Sequence, residues 1–152
     1  MSRGDRDRDG QGRPRQARPR DALGRPLPYG DPRGVPAVPE DPLPPAAALA
    51  MAQDLLVQGR AFSAHEVLEA VWKAAPDGER DLWQGLAQLC VGITHAQRGN
   101  PAGSATLLER AAGRLAGYAG SPPHRVDVAG LRQWIEQNSA APAAVPPPRL
   151  RR

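Results

Sequence analysis

The sequence predicts an all-α protein, a compact antiparallel bundle of about five helices. Three observations support this fold class. Apolar residues recur at three- and four-residue intervals between about residues 46 and 138, which is the period of an amphipathic helix. Proline, glycine, serine and asparagine stand at the boundaries of these periodic segments, where helices begin and end. No segment sustains the alternation of polar and apolar residues that is typical of strands.

The first helix is predicted from its boundaries and from one apolar face. Pro44 and Pro45 precede an alanine-rich segment, and proline is favoured in the first turn of a helix. Gly59 is expected to end the helix. The residues on its apolar face are Leu49, Ala52, Leu55 and Leu56.

The second helix is expected to begin at Ser63. Ser63 and Glu66 have the spacing of a capping box, in which each side chain accepts a hydrogen bond from the other residue's backbone amide. Phe62 and Val67 have the spacing of a hydrophobic staple. Pro76 is expected to end this helix.

Three further helices complete the predicted bundle. A third is expected from a cap at Asp77 to about Arg98, a fourth from the cap Asn100 with Pro101 in its first turn, and a shorter fifth from Asp127. Their expected core residues are Leu82, Leu86, Leu89, Ile93, Leu108, Ala111, Leu115, Tyr118, Leu131, Trp134 and Ile135.

A weak internal repeat has a period of forty residues. Gly59 and Gly99 each end a predicted helix, and the segments 67–69 and 107–109 match at the same distance after these glycines. Two helix–turn–helix units of similar length predict stacked αα-hairpins with tetratricopeptide-like geometry.

Composition divides the chain into four segments. Residues 1–20 and 139–152 are rich in arginine and proline and are expected to be disordered tails. Residues 21–45 are expected to form an extended, proline-rich strap, and residues 46–138 are expected to form the helical domain. The formal net charge is +4, but the helical segment by itself carries −1. Nucleic acid is therefore an unlikely partner for the folded core.

Other features narrow the class of protein. The single cysteine, Cys90, excludes an internal disulfide and a cysteine-based zinc site. No apolar run approaches the roughly 20 residues of a membrane span, and the N-terminus has no apolar stretch typical of a secretory signal. We therefore expect a cytoplasmic protein without membrane association, and its expected partners are another protein or further copies of the chain.

The candidate site consists of polar residues on two neighbouring helices. His65 and Glu69 lie one turn apart along the border of the apolar face of the second helix, and Glu66 lies further toward solvent. A second polar arc on the third helix contains Arg80, Gln84, Gln88 and His95. If the two face each other, they would line a polar pocket; otherwise they are a structural network and a solvated surface.

The motifs do not identify a reaction, a cofactor or a metal. His65-Glu-x-x-Glu69 resembles the zincin helix motif but lacks its second histidine. Neither a nucleophile elbow nor a phosphate-binding glycine loop is present. The leading hypothesis is a helical protein- or ligand-binding module. The alternatives are a small enzyme or metal-binding protein that uses His65, Glu69 and His95, and association of the arginine-rich tails with nucleic acid or acidic protein.

The ordered combination of these motifs resembles a known family. It comprises the segment 62–72, Arg80, the segment 84–88, His95, and Gly99 with Asn100. This combination is similar to the family called domain of unknown function 309, over about residues 21–118. The resemblance implies a small, all-helical protein with no established activity. It also implies hallmark polar positions at His65, Glu66, Glu69, Gln84, Gln88 and His95.

Overall fold

The computed structural model describes residues 19–152, and this part of the chain is all-helical. The five helices are α1 (Pro45–Val57), α2 (Ala61–Ala74), α3 (Arg80–Gln97), α4 (Pro101–Ala116) and α5 (Val128–Asn138). Single 3-10 turns occur at Asp77–Glu79, Pro123–Arg125 and Pro142–Ala144. Within residues 19–152 there are two isolated β-bridges and no strand. The predicted all-α class and helical bundle are confirmed, whereas most of the expected N-terminal tail lies outside the described residues.

The turns between α1 and α2 and between α3 and α4 have the same geometry. Each contains a glycine with φ of +77°, Gly59 in the first turn and Gly99 in the second. The amide of the residue after each glycine donates to the carbonyl oxygen five residues before it, at 2.8 Å in both turns. These are Schellman motifs, and only glycine adopts the left-handed conformation there without strain. The forty-residue repeat therefore corresponds to two equivalent hairpin turns.

The start of α2 differs from the predicted capping box. The helix begins at Ala61, and its N-cap residue Arg60 makes no capping hydrogen bond through its side chain. Ser63 lies inside the helix, 4% exposed, and its Oγ accepts a hydrogen bond from Arg60 Nη2 at 3.2 Å. The expectation that Ser63 and Glu66 form a capping box is therefore wrong, and so is the staple at Phe62. The preceding turn leads straight into α2, so the helix starts two residues before Ser63.

Two of the other predicted caps are confirmed. Asn100 and Asp127 each accept a hydrogen bond at 3.1 Å from the backbone amide three residues later, at the starts of α4 and α5. Asp77 instead begins a 3-10 turn without a side-chain cap, and α3 starts at Arg80.

The core is built around α3, which packs between α2 and α4. Its Trp83 is completely buried. At Gly92 a Cβ atom would lie only 2.8 Å from Leu108 Cδ2, so the absence of a side chain allows α4 to approach closely. All the predicted core residues of α1, α3, α4 and α5 are buried except Tyr118 and Trp134, which are half-buried against the core.

The strap that precedes α1 crosses the N-terminal end of α2. Leu27 is 5% exposed, and Val38 and Leu43 pack against the core. Gly24, with φ of +79°, lies directly against the ring of Phe62. The strap is therefore held by side chains of the bundle.

The C-terminal segment departs from the loose tail that its composition predicts. Leu150 is completely buried, and its amide donates to Gln53 Oε1 at 2.7 Å. Gln53 Nε2 donates to the carbonyl of Pro148 at 3.1 Å. The carbonyl of Leu150 accepts from the amide of Asp127 at 2.8 Å. Contacts with α1 and with the start of α5 thus hold residues 145–152, which form no helix or strand of their own.

Candidate functional site

A chain of three charged or titratable side chains runs along α2. His65 Nε2 lies 2.7 Å from Glu69 Oε2, and Lys73 Nζ lies 2.9 Å from Glu69 Oε1. The residues are spaced four apart, which places each about one turn from the next. The His65 side chain is 18% exposed and that of Glu69 is 34% exposed. The two candidate residues His65 and Glu69 thus contact each other, and Glu69 also contacts Lys73.

Both ring nitrogens of His65 face oxygen acceptors. Nδ1 lies 3.1 Å from the carbonyl oxygen of Phe62, and Nε2 faces the Glu69 carboxylate. A ring nitrogen donates only when it carries a hydrogen, so the tautomer of the ring decides which of the two contacts is a hydrogen bond from His65. Burial raises the pKa of Glu69, but the hydrogen bonds from Lys73 and His65 and their charges outweigh it, and the pKa is lowered overall.

Glu66 lies on the same helix in a different environment. It is half-buried. Burial raises its pKa, and the charges of His65, Arg20 and Arg60 oppose this rise only in part. Because Glu66 does not form the predicted cap, capping does not explain why this carboxyl group is partly buried. It lies where α2 meets the strap.

The polar arc of α3 is shared between α2 and α4. Gln84 and Gln88 are half-buried, and Gln88 Oε1 accepts a hydrogen bond from Arg114 Nε of α4 at 3.1 Å. His95 Nδ1 lies 3.1 Å from Asn100 Nδ2. Asn100 Oδ1 already accepts the capping hydrogen bond, so its amide nitrogen faces His95 as a donor. Gln88 and His95 therefore turn toward α4.

Two arginine–aromatic contacts join this arc to α2. The guanidinium of Arg80 lies 5.7 Å from the ring centre of Trp72, and that of Arg98 lies 5.5 Å from the ring centre of Phe62. Arg80 and Arg98 are five helical turns apart and so share one face of α3. Because His65 and Glu69 lie between Phe62 and Trp72 along α2, they lie on the side of α2 that the two arginines contact. We call this region, bounded by Arg80, Arg98, Phe62 and Trp72, the α2–α3 seam.

One end of the seam is covered by the strap. Arg20 stacks on the Phe62 ring with its guanidinium 5.2 Å from the ring centre, and Arg98 Nε donates to the carbonyl of Leu23 at 2.8 Å. Sequence reasoning missed Arg20 and Arg98 as parts of the site. The five-turn spacing from Arg80 to Arg98 could have indicated the second; nothing local indicates that Arg20 would reach Phe62.

The seam does not bring together a ligand set for a metal ion. Within residues 19–152, no three histidine, cysteine, aspartate or glutamate side chains form a group that could hold one. His65 pairs with Glu69, whereas His95 contacts Asn100 at the start of α4. Cys90 is completely buried, which raises the pKa of its thiol to about 12 and makes it a core residue rather than a nucleophile.

Comparison with known proteins bears on the resemblance seen in the sequence. No curated protein and no solved structure matches the chain. In the part of the chain that the structure describes, no helix is both long and apolar enough to span a membrane. The model of one family, Domain of unknown function (DUF309), matches residues 49–107, which extend from α1 into α4 and include all six predicted site residues. The resemblance seen in the sequence is therefore confirmed over residues 49–107, where the chain is similar to the family Domain of unknown function (DUF309).

Proposed function

We propose that the protein is a cytoplasmic helical binding module whose partner, a protein or a smaller ligand, docks on the α2–α3 seam. One observation supports this proposal: two arginine–aromatic contacts, Arg80 with Trp72 and Arg98 with Phe62, join the two ends of α3 to the side of α2 that carries His65 and Glu69. Binding surfaces combine aromatic and arginine side chains with a few well-placed polar groups.

The proposed surface offers donors and acceptors of several kinds. The Gln84 side chain is half-buried and forms no hydrogen bond with another of residues 19–152, so its amide can serve a partner. The Trp72 ring is half-buried and stacked with the Arg80 guanidinium, which gives a partner a flat amphipathic contact. We further propose that the hairpins stack with tetratricopeptide-like geometry, for which the two equivalent turns are the support.

An enzymatic or metal-binding role for His65, Glu69 and His95 has less support. Both ring nitrogens of His65 already contact protein oxygens, so neither is available to a metal or to a substrate proton in this arrangement. One nitrogen of His95 faces Asn100. A surface that recognises a partner needs no such free nitrogen.

Site-specific photo-cross-linking tests the proposal. A photoreactive phenylalanine analogue is placed at Gln84 in the seam, and at Glu109, an exposed position of α4, as the matched control. We expect a discrete adduct from position 84 in cells, suppressed by excess wild-type protein and not by a Gln84→Arg variant. Mass spectrometry of the adduct identifies the partner, including a second copy of this chain. Equal labelling from positions 84 and 109, or no adduct from position 84, would count against the proposal.

A further inference from the structure

A cavity between α1 and the C-terminal segment is lined by an unusual number of arginines. Its volume is about 360 Å³. Four guanidinium-bearing residues and one carboxylate, that of Asp54, line it. The arginines are Arg125, Arg149, Arg151 and Arg152. We call this cavity the arginine pocket. It lies on α1, apart from the residues that bound the α2–α3 seam.

The burial of Leu150 anchors the backbone between two of the pocket arginines. Leu150 is completely buried, and Gln53 holds the backbone at Pro148 and at Leu150 itself. Arg149 and Arg151 therefore flank one anchored residue, and both line the pocket.

The other two arginines are held by an irregular turn before α5. Arg125 has φ of +63°, and its neighbour His124 has φ of +55°. Two consecutive left-handed residues without glycine cost about 1–2 kcal/mol each, so surrounding contacts must hold them. His124 Nε2 lies 2.7 Å from Glu79 Oε1. The Arg152 amide donates to the carbonyl of Arg125 at 3.0 Å, and Arg125 Nη2 donates to the carbonyl of Arg152 at 3.1 Å.

The positive charge of these side chains is offset only in part, since Asp54 is the acidic side chain that lines the pocket. None of the four arginines forms an ion pair with an acidic side chain of residues 19–152, although Arg33 and Arg114 elsewhere do; Arg125 instead donates to the main-chain oxygen of Arg152. Four like charges around a small cavity repel one another, so a bound anion would stabilise the arrangement. Guanidinium groups match phosphate oxygens with pairs of hydrogen bonds, and the volume lies within the usual range for small-ligand sites.

We propose that the arginine pocket binds a compact phosphate-bearing molecule with at least two phosphate groups. We infer the second phosphate from the number of guanidinium groups, because two phosphate groups offer more oxygens and more negative charge to four arginines than one does. The buried leucine and the glutamine clamp make the pocket a formed site, unlike a flexible run of basic residues.

Isothermal titration calorimetry of the full chain with pyrophosphate tests the proposal, with inorganic phosphate and sulfate as weaker anions. We expect one saturable site, tighter for pyrophosphate than for either of the others. The double variant R149Q/R151Q should raise the Kd by at least about tenfold, since charge-assisted contacts are lost. The matched control R110Q/R132Q removes the same charge from exposed positions on α4 and α5 and should change the Kd by less than about twofold.

Three outcomes would overturn the proposal. They are no saturable pyrophosphate binding, equal weakening by both double variants, and binding of a single-stranded oligonucleotide but not of pyrophosphate. Thermal unfolding of each variant supplies the folding control. The substituted arginines are exposed or half-buried at the surface, so the melting temperatures of both double variants should stay close to that of the wild type.

Discussion

Substitution of Gly24 tests whether the strap is held on α2 by direct contact with Phe62. Gly24 has φ of +79°, and a Cβ atom at this position would overlap the Phe62 ring. Gly30 has the same φ, but nothing lies within 4 Å of a Cβ placed there. Substitution of Gly30 therefore measures the free energy that an L-residue costs in the left-handed conformation. Substitution of Gly24 measures the same cost together with that of the clash with Phe62.

The structure gives a magnitude for each substitution. Gly30→Ala should lower the free energy of unfolding by about 1 kcal/mol, because the left-handed conformation costs about 1–2 kcal/mol and alanine regains a few tenths by restricting the unfolded chain. Gly24→Ala carries this cost and, in addition, about 1–3 kcal/mol for forcing a methyl group into a packed contact. The difference between the variants should therefore be at least about 1 kcal/mol.

Urea denaturation of both variants measures the free energies, and hydrogen exchange locates the change. Gly24→Ala should increase exchange of the amides of Leu27 and Val35, which are hydrogen-bonded within the strap, and leave those inside α3 protected. Gly30→Ala should leave Leu27 protected. Equal losses of stability in the two variants would refute the reasoning, because the contact with Phe62 would then contribute nothing.

Further predictions concern the C-terminal segment, the carboxylates of α2 and one cap. Leu150→Ala should lower the free energy of unfolding by about 2–4 kcal/mol, against nearly zero for Val57→Ala, whose side chain is 68% exposed; equal urea midpoints would contradict the docked segment. Burial raises the pKa of Glu66, so the folded state holds that proton more tightly, and stability is lost as pH rises through the carboxyl range. Glu66→Gln should gain stability relative to the wild type from about pH 4 to pH 7. The pKa of Glu69 is lowered overall, because Lys73 and His65 outweigh burial, so Glu69 contributes stability above the unfolded carboxyl pKa that is lost as pH falls. Glu69→Gln should lower the free energy of unfolding by up to about 1 kcal/mol at pH 7 and by less at pH 4. If the free energies of unfolding of the Glu66→Gln and Glu69→Gln variants changed with pH in the same way, these opposite pKa shifts would be excluded. Asn100→Ala should cost about 1 kcal/mol through loss of the cap on Gly103, measured by thermal unfolding; an unchanged melting temperature would show that the cap is dispensable.

Local signals were sufficient for most of the helices. Asn100 and Asp127 were recognised as caps because a cap acts within one helical turn, and Gly59 and Gly99 because a left-handed residue is needed where a Schellman motif ends a helix. The pairing of His65 with Glu69 is likewise local, one turn apart on a single helix. The same kind of reasoning was wrong at Ser63, because the turn before α2 made an earlier start possible than the capping pattern implied.

The sequence by itself therefore determined the fold class, the faces of the helices and the resemblance to a family over residues 49–107, since periodicity, caps and short motifs depend on residues a few positions apart. The tertiary structure alone decided what covers Phe62 and where the C-terminal arginines lie. Gln53 meets Leu150 across 97 positions of sequence, and Arg98 meets Leu23 across 75. A proline-rich segment has the same local preferences whether it is docked or free, so its place depends on the surface that distant helices present.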